Sequence, residues 1–307
     1  MTPPIVILAG AAGDLGYRIA RQLIERGATV RSLLRTAASD EDKSRLARLG
    51  IAVAPADVSD AASVAAVCEG AACAISALNG LYDVVVARQS VLLDAAVQAG
   101  VPRFISSDFS ADFTTTKPGD NRNLDLRREF MVRADLARIK TTSIFNGAFM
   151  DMLGAEMPII QPAIRRVLYW GSADQPLDFT AKNDVAAFTA AAALDEATPR
   201  VLRIAGDTVS ARDIARTMSE ISGERYRTLW AGSIGSLGLL IRLTKILAPQ
   251  PRATFPAWQG MQYMRDMFSG RGKLHPLDNN RYPDLRWTSV REQLLAAPAS
   301  KSRKAAR

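Results

Sequence analysis

The sequence predicts an α/β protein of the Rossmann type, a doubly wound parallel sheet followed by a smaller C-terminal lobe. Three observations lead to this prediction: an apolar strand that ends in a glycine-rich turn, alternating strand and helix patterns up to residue 145, and a less regular pattern beyond about residue 150. Strands that alternate with amphipathic helices favour a parallel sheet. We therefore expect a Rossmann domain at 1–152, a lobe at 153–300 whose part near 183–205 packs back on that domain, and a basic tail at 301–307.

The first strand, Ile5 to Ala9, leads directly into glycines at positions 10, 13 and 16. A strand that stops at Gly10 and restarts as a helix near Asp14 leaves backbone N–H groups unpaired where the helix dipole favours a pyrophosphate. In such a turn, Gly10 allows the sharp bend, Gly13 the close approach of a phosphate, and Gly16 the packing of helix on strand. A dinucleotide is expected to contact Gly10, Ala12, Gly13, Asp14, Leu15 and Gly16.

The end of the second strand predicts which dinucleotide binds. Arg35 occupies the position where NAD-binding proteins of this type carry an acidic residue for the ribose hydroxyls. Because a guanidinium pairs phosphate oxygens with a planar fork of donors, Arg35 favours the 2′-phosphate of NADP. The alternative is a solvated surface arginine.

Right-handed crossovers bring the carboxyl ends of all parallel strands to one edge of the sheet. The segments after the strands should therefore converge around one crevice with the glycine-rich turn. Outside that turn and Arg35, the residues expected to line the cofactor there are Asp57, Val58, Ala77, Leu78, Ser106, Phe145, Asn146 and Gly147.

The composition excludes several classes of protein. The net charge is +8, but half of that excess comes from the tail (Lys301, Arg303, Lys304 and Arg307), and no basic face with interleaved aromatics predicts nucleic-acid binding. The N-terminus lacks the pattern of a secretory signal, and the apolar segment from Ile234 to Ala248 is too short to span a membrane. We therefore expect a cytoplasmic protein with a small-molecule substrate and no membrane or nucleic-acid partner.

Isolated residues add smaller expectations. Cys68 and Cys73, the only cysteines, fall in a helical and a strand pattern and are expected to be buried thiols; the single histidine, His275, makes a metal site improbable. Asp184 is expected to cap the helix after Thr180. The stretches between Thr228 and Pro256 are expected to cover the crevice, and Ser289 with Glu292 forms a capping-box pattern before a last helix.

Three motifs resemble the NmrA-like family, atypical short-chain dehydrogenase/reductases that include plant isoflavone and phenylcoumaran benzylic ether reductases. They are Gly-Ala-Ala-Gly-Asp-Leu-Gly at 10–16, Arg-Phe-Ile-Ser-Ser-Asp-Phe at 103–109, and Thr-Ser-Ile-Phe-Asn-Gly-Ala-Phe at 142–149. The resemblance implies that residues 145–147 line the nicotinamide and that Asp57 and Val58 lie near the adenine.

The catalytic position departs from the family pattern. No tyrosine has a lysine four residues later, and counting back from Thr142 places the lysine of the plant-type reductases at or beside Arg127, in a helix without lysine. An arginine keeps its proton, so it can stabilise negative charge but is a poor general acid. Arg127 and Arg128 could hold an anionic oxygen while water or a distant group such as Lys117 delivers the proton, or could bind the cofactor phosphate or an acidic substrate. They could also form a solvated or salt-bridged helix face, pairing for example with Asp125, Glu129 or Asp135.

The sequence as a whole predicts an NADPH-dependent reductase that transfers hydride to a small aromatic or conjugated substrate. The alternative is a non-catalytic NADP-binding sensor of the NmrA type, which the missing lysine favours. A purely structural interaction protein has little support, because nothing outside the tail predicts an exposed partner surface. The oligomeric state stays open.

Overall fold

The computed structural model describes residues 2–34, 38–55, 61–153 and 157–296. The strands are β1 (Ile5–Ala9), β2 (Thr29–Leu34), β3 (Ala52–Pro55), β4 (Cys73–Ser76), β5 (Arg103–Ile105), β6 (Lys140–Phe145), β7 (Ala148–Phe149), β8 (Ile160–Gln161), β9 (Arg166–Trp170), β10 (Leu177–Thr180), β11 (Val201–Arg203), β12 (Asp207–Val209) and β13 (Arg227–Gly232). The α-helices are α1 (Asp14–Glu25), α2 (Asp40–Ala47), α3 (Ala61–Cys68), α4 (Gln89–Gln98), α5 (Arg122–Leu136), α6 (Lys182–Leu194), α7 (Ala211–Ser222), α8 (Ile234–Leu247), α9 (Ala257–Phe268) and α10 (Val290–Ala296).

Seven strands form a parallel sheet in the order β11-β6-β5-β4-β1-β2-β3, which confirms the predicted Rossmann fold. Alternate residues of β1 explain why helices cover both faces. Val6 and Leu8 pack in one buried cluster with Ile19 of α1. Ile7 and Ala9 pack in a second cluster on the other face. A strand that is buried on both faces of the sheet has a continuous run of apolar residues, as β1 does.

The chain beyond β6 adds to the sheet and builds a smaller lobe. Strand β11 pairs with β6, and α6 packs beside α1, so this part returns to the main sheet. Two three-stranded sheets, β12-β10-β7 and β13-β9-β8, form the lobe together with α7, α8 and α9. A third apolar cluster lies there. The division at residues 152 and 153 remains a prediction.

Local details refine the predicted elements. A π-helical segment, Asp83–Arg88, leads directly into α4. Ser289 and Glu292 form both hydrogen bonds of the predicted capping box at α10. Cys68 and Cys73 are free and buried, as predicted, and burial raises their thiol pKa values to about 11 and about 12. In the part of the chain that is described, no helix has the length and apolar character needed to cross a membrane.

Candidate active site

The glycine-rich turn joins β1 to α1 with the backbone geometry that the motif predicts. Gly10 has φ +90°, and a Cβ there would lie 2.6 Å from the carbonyl oxygen of Ala77. A Cβ on Gly16 would lie 2.1 Å from the carbonyl oxygen of Gly10, so only glycine lets the helix pack against the turn. Gly13 is the N-cap of α1, and no side chain caps the helix. The first-turn N–H groups are therefore left for a ligand.

Asp14 connects this turn to the start of α6. Its carboxylate forms ion pairs with Lys182, at 2.9 Å, and with Arg18, at 2.7 Å. Burial alone would raise the Asp14 pKa, but the hydrogen bonds and charges of Lys182 and Arg18 outweigh it and lower the pKa. Asp14 thus stays ionised and links the turn to the start of α6.

Arg45, a residue that the sequence analysis did not single out, also reaches the turn. Its guanidinium donates to the carbonyl oxygen of Ala12 and lies over the Tyr17 ring, 4.7 Å from the centroid. Its buried Nε has no hydrogen-bond partner among the described residues. Local sequence patterns could not have predicted this contact, because Arg45 and Ala12 are 33 residues apart in sequence. The predicted cofactor residues Arg35, Asp57 and Val58 lie outside the described residues.

The ends of β4 and β5 meet beside Gly10. The Ser107 hydroxyl donates to the carbonyl oxygen of Leu78 at 2.6 Å, and the Ser107 N–H donates to the buried side chain of Gln89 at 2.8 Å. Ala77 and Leu78 are half-buried at this edge. Ser106 is fully buried, and its hydroxyl lacks a partner in the described part of the chain. The predicted neighbours at these two strand ends are thus brought together.

The end of β6 is held against the lobe. The backbone N–H groups of Asn146 and Gly147 both donate to the carbonyl oxygen of Ser110, at 2.9 and 3.1 Å. Gly147 has φ +66°, and a Cβ there would lie 2.3 Å from the carbonyl oxygen of Asp178. Asn146 is fully buried, yet its side-chain oxygen has no partner among the described residues. Gly147 therefore lets the lobe approach the sheet edge closely.

A buried acid follows β5. One oxygen of Asp108 accepts the Ser143 hydroxyl at 2.6 Å, and the other has no partner among the described residues. Burial raises the Asp108 pKa to about 6, although the Ser143 hydrogen bond and the charges of Arg127 and Arg200 oppose the shift. The opposite charges of Asp108 and Arg127 therefore interact near the end of β5.

The neighbouring arginines of α5 occupy different environments. Arg127 is buried, with 6% of its surface exposed; it donates to the carbonyl oxygen of Asn123 at 3.1 Å, and its Nε has no partner in the described ranges. Arg128 pairs with Asp125 and donates to the carbonyl oxygens of Phe113 and Thr116. The helix-face alternative is therefore confirmed for Arg128, through Asp125, and wrong for Arg127, which is not solvated.

Tyr263 of the lobe lies within electrostatic reach of Arg127. Burial raises the Tyr263 pKa, and the charge of Arg127 and a hydrogen bond from Asn123 oppose that shift. The tyrosine packs against the apolar cluster that contains Phe145. The charge of Arg127 therefore acts on Asp108, after β5, and on Tyr263 of the lobe.

Two lysines differ in their relation to this edge. Lys117 is exposed on the loop before α5. Lys273 lines a small cavity of about 20 Å³ together with Gly147 and Asp178, and its ammonium forms an ion pair with Asp178 at 2.6 Å. The sequence analysis missed Lys273 because more than a hundred residues separate it from β6 and no local motif marks it.

Asp184 does not cap α6, so that prediction was wrong. The helix begins two residues earlier, and the Lys182 N–H donates to Asp151 instead. The carboxylate of Asp184 accepts the backbone N–H and the hydroxyl of Thr288 at 2.7 and 3.1 Å. Asp184 therefore ties the start of α6 to the segment before α10.

The fold and this edge define a Rossmann-type α/β protein whose glycine-rich turn opens toward a C-terminal lobe. Residues 3–231 match the NmrA-like family, and the chain belongs to that family. An NmrA-like family domain-containing oxidoreductase of Gibberella moniliformis is 28% identical over 255 residues, 73% of this chain and 80% of that protein. Sterol demethylase protein B of Methylococcus capsulatus is 26% identical over 288 residues, 86% of this chain and 82% of that protein.

A solved structure shares the fold over nearly the whole length. AtPrR2 with NADP+ and (+)pinoresinol aligns with a TM-score of 0.78 and 19% identity, covering 95% of this chain and 98% of that one. The C-terminal lobe is therefore part of the shared fold.

Proposed function

We propose that this protein is an NADPH-dependent reductase that transfers hydride to a small aromatic or conjugated substrate. The observation that carries the proposal is the uncapped start of α1 at a turn where Gly10 and Gly16 admit no side chain, at the same sheet edge as Asn146 and Gly147. Family membership supports it, as does the oxidoreductase among the relatives. The solved neighbour with NADP+ and pinoresinol supports both the cofactor and an aromatic substrate.

The residues present fit a phosphorylated dinucleotide. The N–H groups that begin α1 suit a pyrophosphate, and Arg45 brings a guanidinium with a free Nε to the same turn. Arg35 remains the predicted partner of the 2′-phosphate. The fully buried Ser106 and Asn146 each carry a polar atom without a partner among the described residues, as expected where a polar ring binds. When bound, the reduced nicotinamide supplies the hydride.

The contribution of Arg127 would be electrostatic. A substrate carbon that accepts hydride leaves negative charge on a conjugated oxygen, and a buried guanidinium stabilises such charge far better than an exposed one. Arg127 has the required burial and a free Nε. Asp108, ionised above about pH 6, would place an opposite charge near the guanidinium without a hydrogen bond to it.

The proton must come from another group, because arginine does not release its own. Lys117 was the lysine expected from the sequence. Lys273 is a second candidate, since it lines the cavity beside Gly147 and is held by Asp178. We expect the lysine that donates the proton to impose its pKa on the dependence of kcat on pH.

The test measures binding and turnover separately. NADPH and NADH are titrated by fluorescence, and the absorbance of the reduced nicotinamide is then followed with phenolic, enone, benzylic ether and sterol ketone substrates. Gly13→Val should abolish NADPH binding, because the backbone of Gly13 (φ −74°) is one that valine can adopt and the side chain would enter the phosphate position. Gly260→Val, at an exposed helical site with no atom within 4 Å, is the matched control. Equal affinity for NADPH and NADH would contradict the NADP assignment.

Variants of the charged groups then test the mechanism. Arg127→Ala should lower kcat about 100-fold or more at unchanged NADPH affinity, and Arg127→Lys should retain more activity than Arg127→Ala. Arg133→Ala, an exposed arginine on the same helix, is the control. Lys117→Gln and Lys273→Gln are compared in parallel. Only the variant that lacks the proton donor should lose the basic limb of the pH dependence of kcat. Unchanged turnover in Arg127→Ala would contradict the role of Arg127.

The absence of a lysine at position 127 favours one alternative, the NADP-binding sensor without turnover. It would bind NADPH tightly and oxidise none of it across the whole substrate panel. That result would contradict the reductase while leaving the cofactor site intact.

A further inference from the structure

Helix α8 carries two apolar faces, and only one of them is buried. Leu237 and Ile241, 1% and 4% exposed, pack in the core of the lobe. A second face points to solvent. Its members, with their exposed fractions, are Leu239 (58%), Leu240 (44%), Leu243 (47%), Ile246 (75%) and Leu247 (83%). Because residues three, four and seven apart share one side of a helix, these five side chains form a continuous stripe, which we call the α8 stripe.

Large apolar side chains in the segments on both sides of α8 are also exposed. Trp230, in the strand that precedes the helix, is 59% exposed, and Phe255, in the segment that follows it, is 58% exposed. Monomeric soluble proteins rarely expose contiguous apolar surface of this kind unless something binds there. The sequence analysis, which expected no partner surface outside the tail, did not foresee this exposed apolar surface.

The charge around the stripe has one sign. Between residues 225 and 265 the sequence contains no aspartate or glutamate. The basic residues before α9 in this segment are Arg225, Arg227, Arg242, Lys245 and Arg252, all exposed. None of them pairs with a carboxylate among the described residues. Lys245 instead lies over the ring of Trp258, 5.0 Å from its centroid.

We propose that the α8 stripe is a docking surface for an anionic lipid membrane. A helix with exposed leucines flanked by arginine and lysine lies in the interface of a bilayer, with its apolar face among the acyl chains and its cations among the headgroups. Anionic headgroups add about fivefold in affinity for each basic residue at the surface. The helix lies on the membrane without crossing it, which agrees with the short length of α8.

The charge pattern favours a membrane over a second copy of this chain. A symmetric pair of copies would place the same uncompensated cations against each other, because the same patch faces itself across a two-fold axis. Like charges in such an interface are destabilising. An anionic lipid surface neutralises all of them and accepts the leucines at the same time.

The experiment measures sedimentation of the full chain with extruded vesicles. One set contains only phosphatidylcholine, and the other an equimolar mixture of phosphatidylcholine and phosphatidylglycerol. We expect binding to the anionic vesicles, weaker binding to the neutral ones, and a loss of binding as salt rises. Replacing Leu243, Ile246 and Leu247 together by serine should abolish binding, since each buried aliphatic side chain contributes about tenfold.

Matched variants separate the stripe from general charge and hydrophobicity. Leu136→Ser, at a leucine on α5 that is as exposed as Leu247 (83%), should leave binding unchanged. Arg242→Gln with Arg252→Gln should lower the partition coefficient about 30-fold, whereas Lys301→Gln with Arg303→Gln, which removes the same charge from the tail, should lower it less.

Three outcomes would overturn the proposal. The first is no sedimentation with anionic vesicles, and the second is equal loss in the tail variant, which would mean adsorption by charge alone. The third is a dimer in sedimentation velocity that the triple serine variant dissociates, which would assign the stripe to a second copy. None of these outcomes bears on NADPH binding, so this proposal can fail while the proposed function stands.

Discussion

The edge of the main sheet and the α8 stripe are opposite departures from ordinary burial. At the sheet edge, polar atoms of Ser106, Asp108 and Asn146 are buried without a partner among the described residues. On α8, leucines are exposed without an apolar neighbour to cover them. Both arrangements cost free energy in an isolated chain, since proteins pair buried polar groups and cover large apolar surfaces. We infer from this difference that each region binds something outside the polypeptide, a polar ligand at the sheet edge and an apolar surface at α8.

The largest effect that we predict is a loss of stability on substitution in the glycine-rich turn. Gly16→Val would bring a side chain within 2.1 Å of the Gly10 carbonyl oxygen, where the main chain of β1 cannot move without disrupting the sheet. We expect a loss of about 4 kcal/mol or more in the free energy of unfolding. Urea denaturation followed by circular dichroism measures it. Gly260→Val should change the same quantity by no more than about 0.5 kcal/mol, and similar values for the two variants would mean that the turn is not packed as described.

The next effect is the pH dependence that buried Asp108 imposes. Its pKa is raised from 3.8 to about 6 in the folded protein, so between these values the folded state holds a proton that the unfolded state has lost. Stability from this group is therefore greatest below pH 4 and falls as pH rises to about 6, by about 3 kcal/mol in total.

Asp108→Asn removes this titration and keeps an acceptor for the Ser143 hydroxyl. The variant should match the native protein near pH 4 and exceed it in stability by up to about 3 kcal/mol at pH 7. Urea midpoints of both proteins across this range provide the measurement. A difference that stays constant with pH would contradict the assigned pKa. Lower turnover in the stabilised variant would show that the buried charge serves the site.

The two regions also differ in how far the sequence predicts them. The turn could be predicted because strand, glycines and helix are consecutive, so their spacing alone fixes the geometry around Gly10 and Gly16. Contacts made across the fold could not. Arg45 reaches Ala12 from another helix, Lys273 contacts Asp178 from 95 residues further along the chain, and Asp184 binds Thr288 instead of capping its own helix.

The α8 stripe marks a different limit of sequence reasoning. The sequence analysis expected the apolar stretches between Thr228 and Pro256 to cover the crevice and did not foresee a solvent-exposed apolar face. Leucines occur around most of α8, and periodicity does not say which of two apolar faces meets the core. Only the packing of Leu237 and Ile241 decides this.

An effect of intermediate size concerns the loop before α5. Arg128 donates to the carbonyl oxygens of Phe113 and Thr116 and to the Thr116 hydroxyl, and so holds the loop before α5. Arg128→Ala leaves these acceptors unpaired and should cost about 2 kcal/mol of unfolding free energy. Arg133→Ala, which breaks an exposed ion pair with Asp94, should cost no more than about 0.5 kcal/mol. Equal costs in thermal or urea denaturation would mean that Arg128 is as solvated as Arg133.

The smallest predicted effect is the change in stability on substitution in the α8 stripe. Because the Leu247 side chain already lies in water, Leu247→Ser should change the free energy of unfolding by less than about 0.5 kcal/mol, as should Leu136→Ser. Leu237→Ser on the buried face of the same helix should cost about 3 kcal/mol or more. The contrast within α8 separates a surface kept apolar for a partner from a surface kept apolar for folding. If Leu247→Ser destabilised the isolated chain as much as Leu237→Ser, the stripe would belong to the core, and no external surface would be needed to explain its leucines.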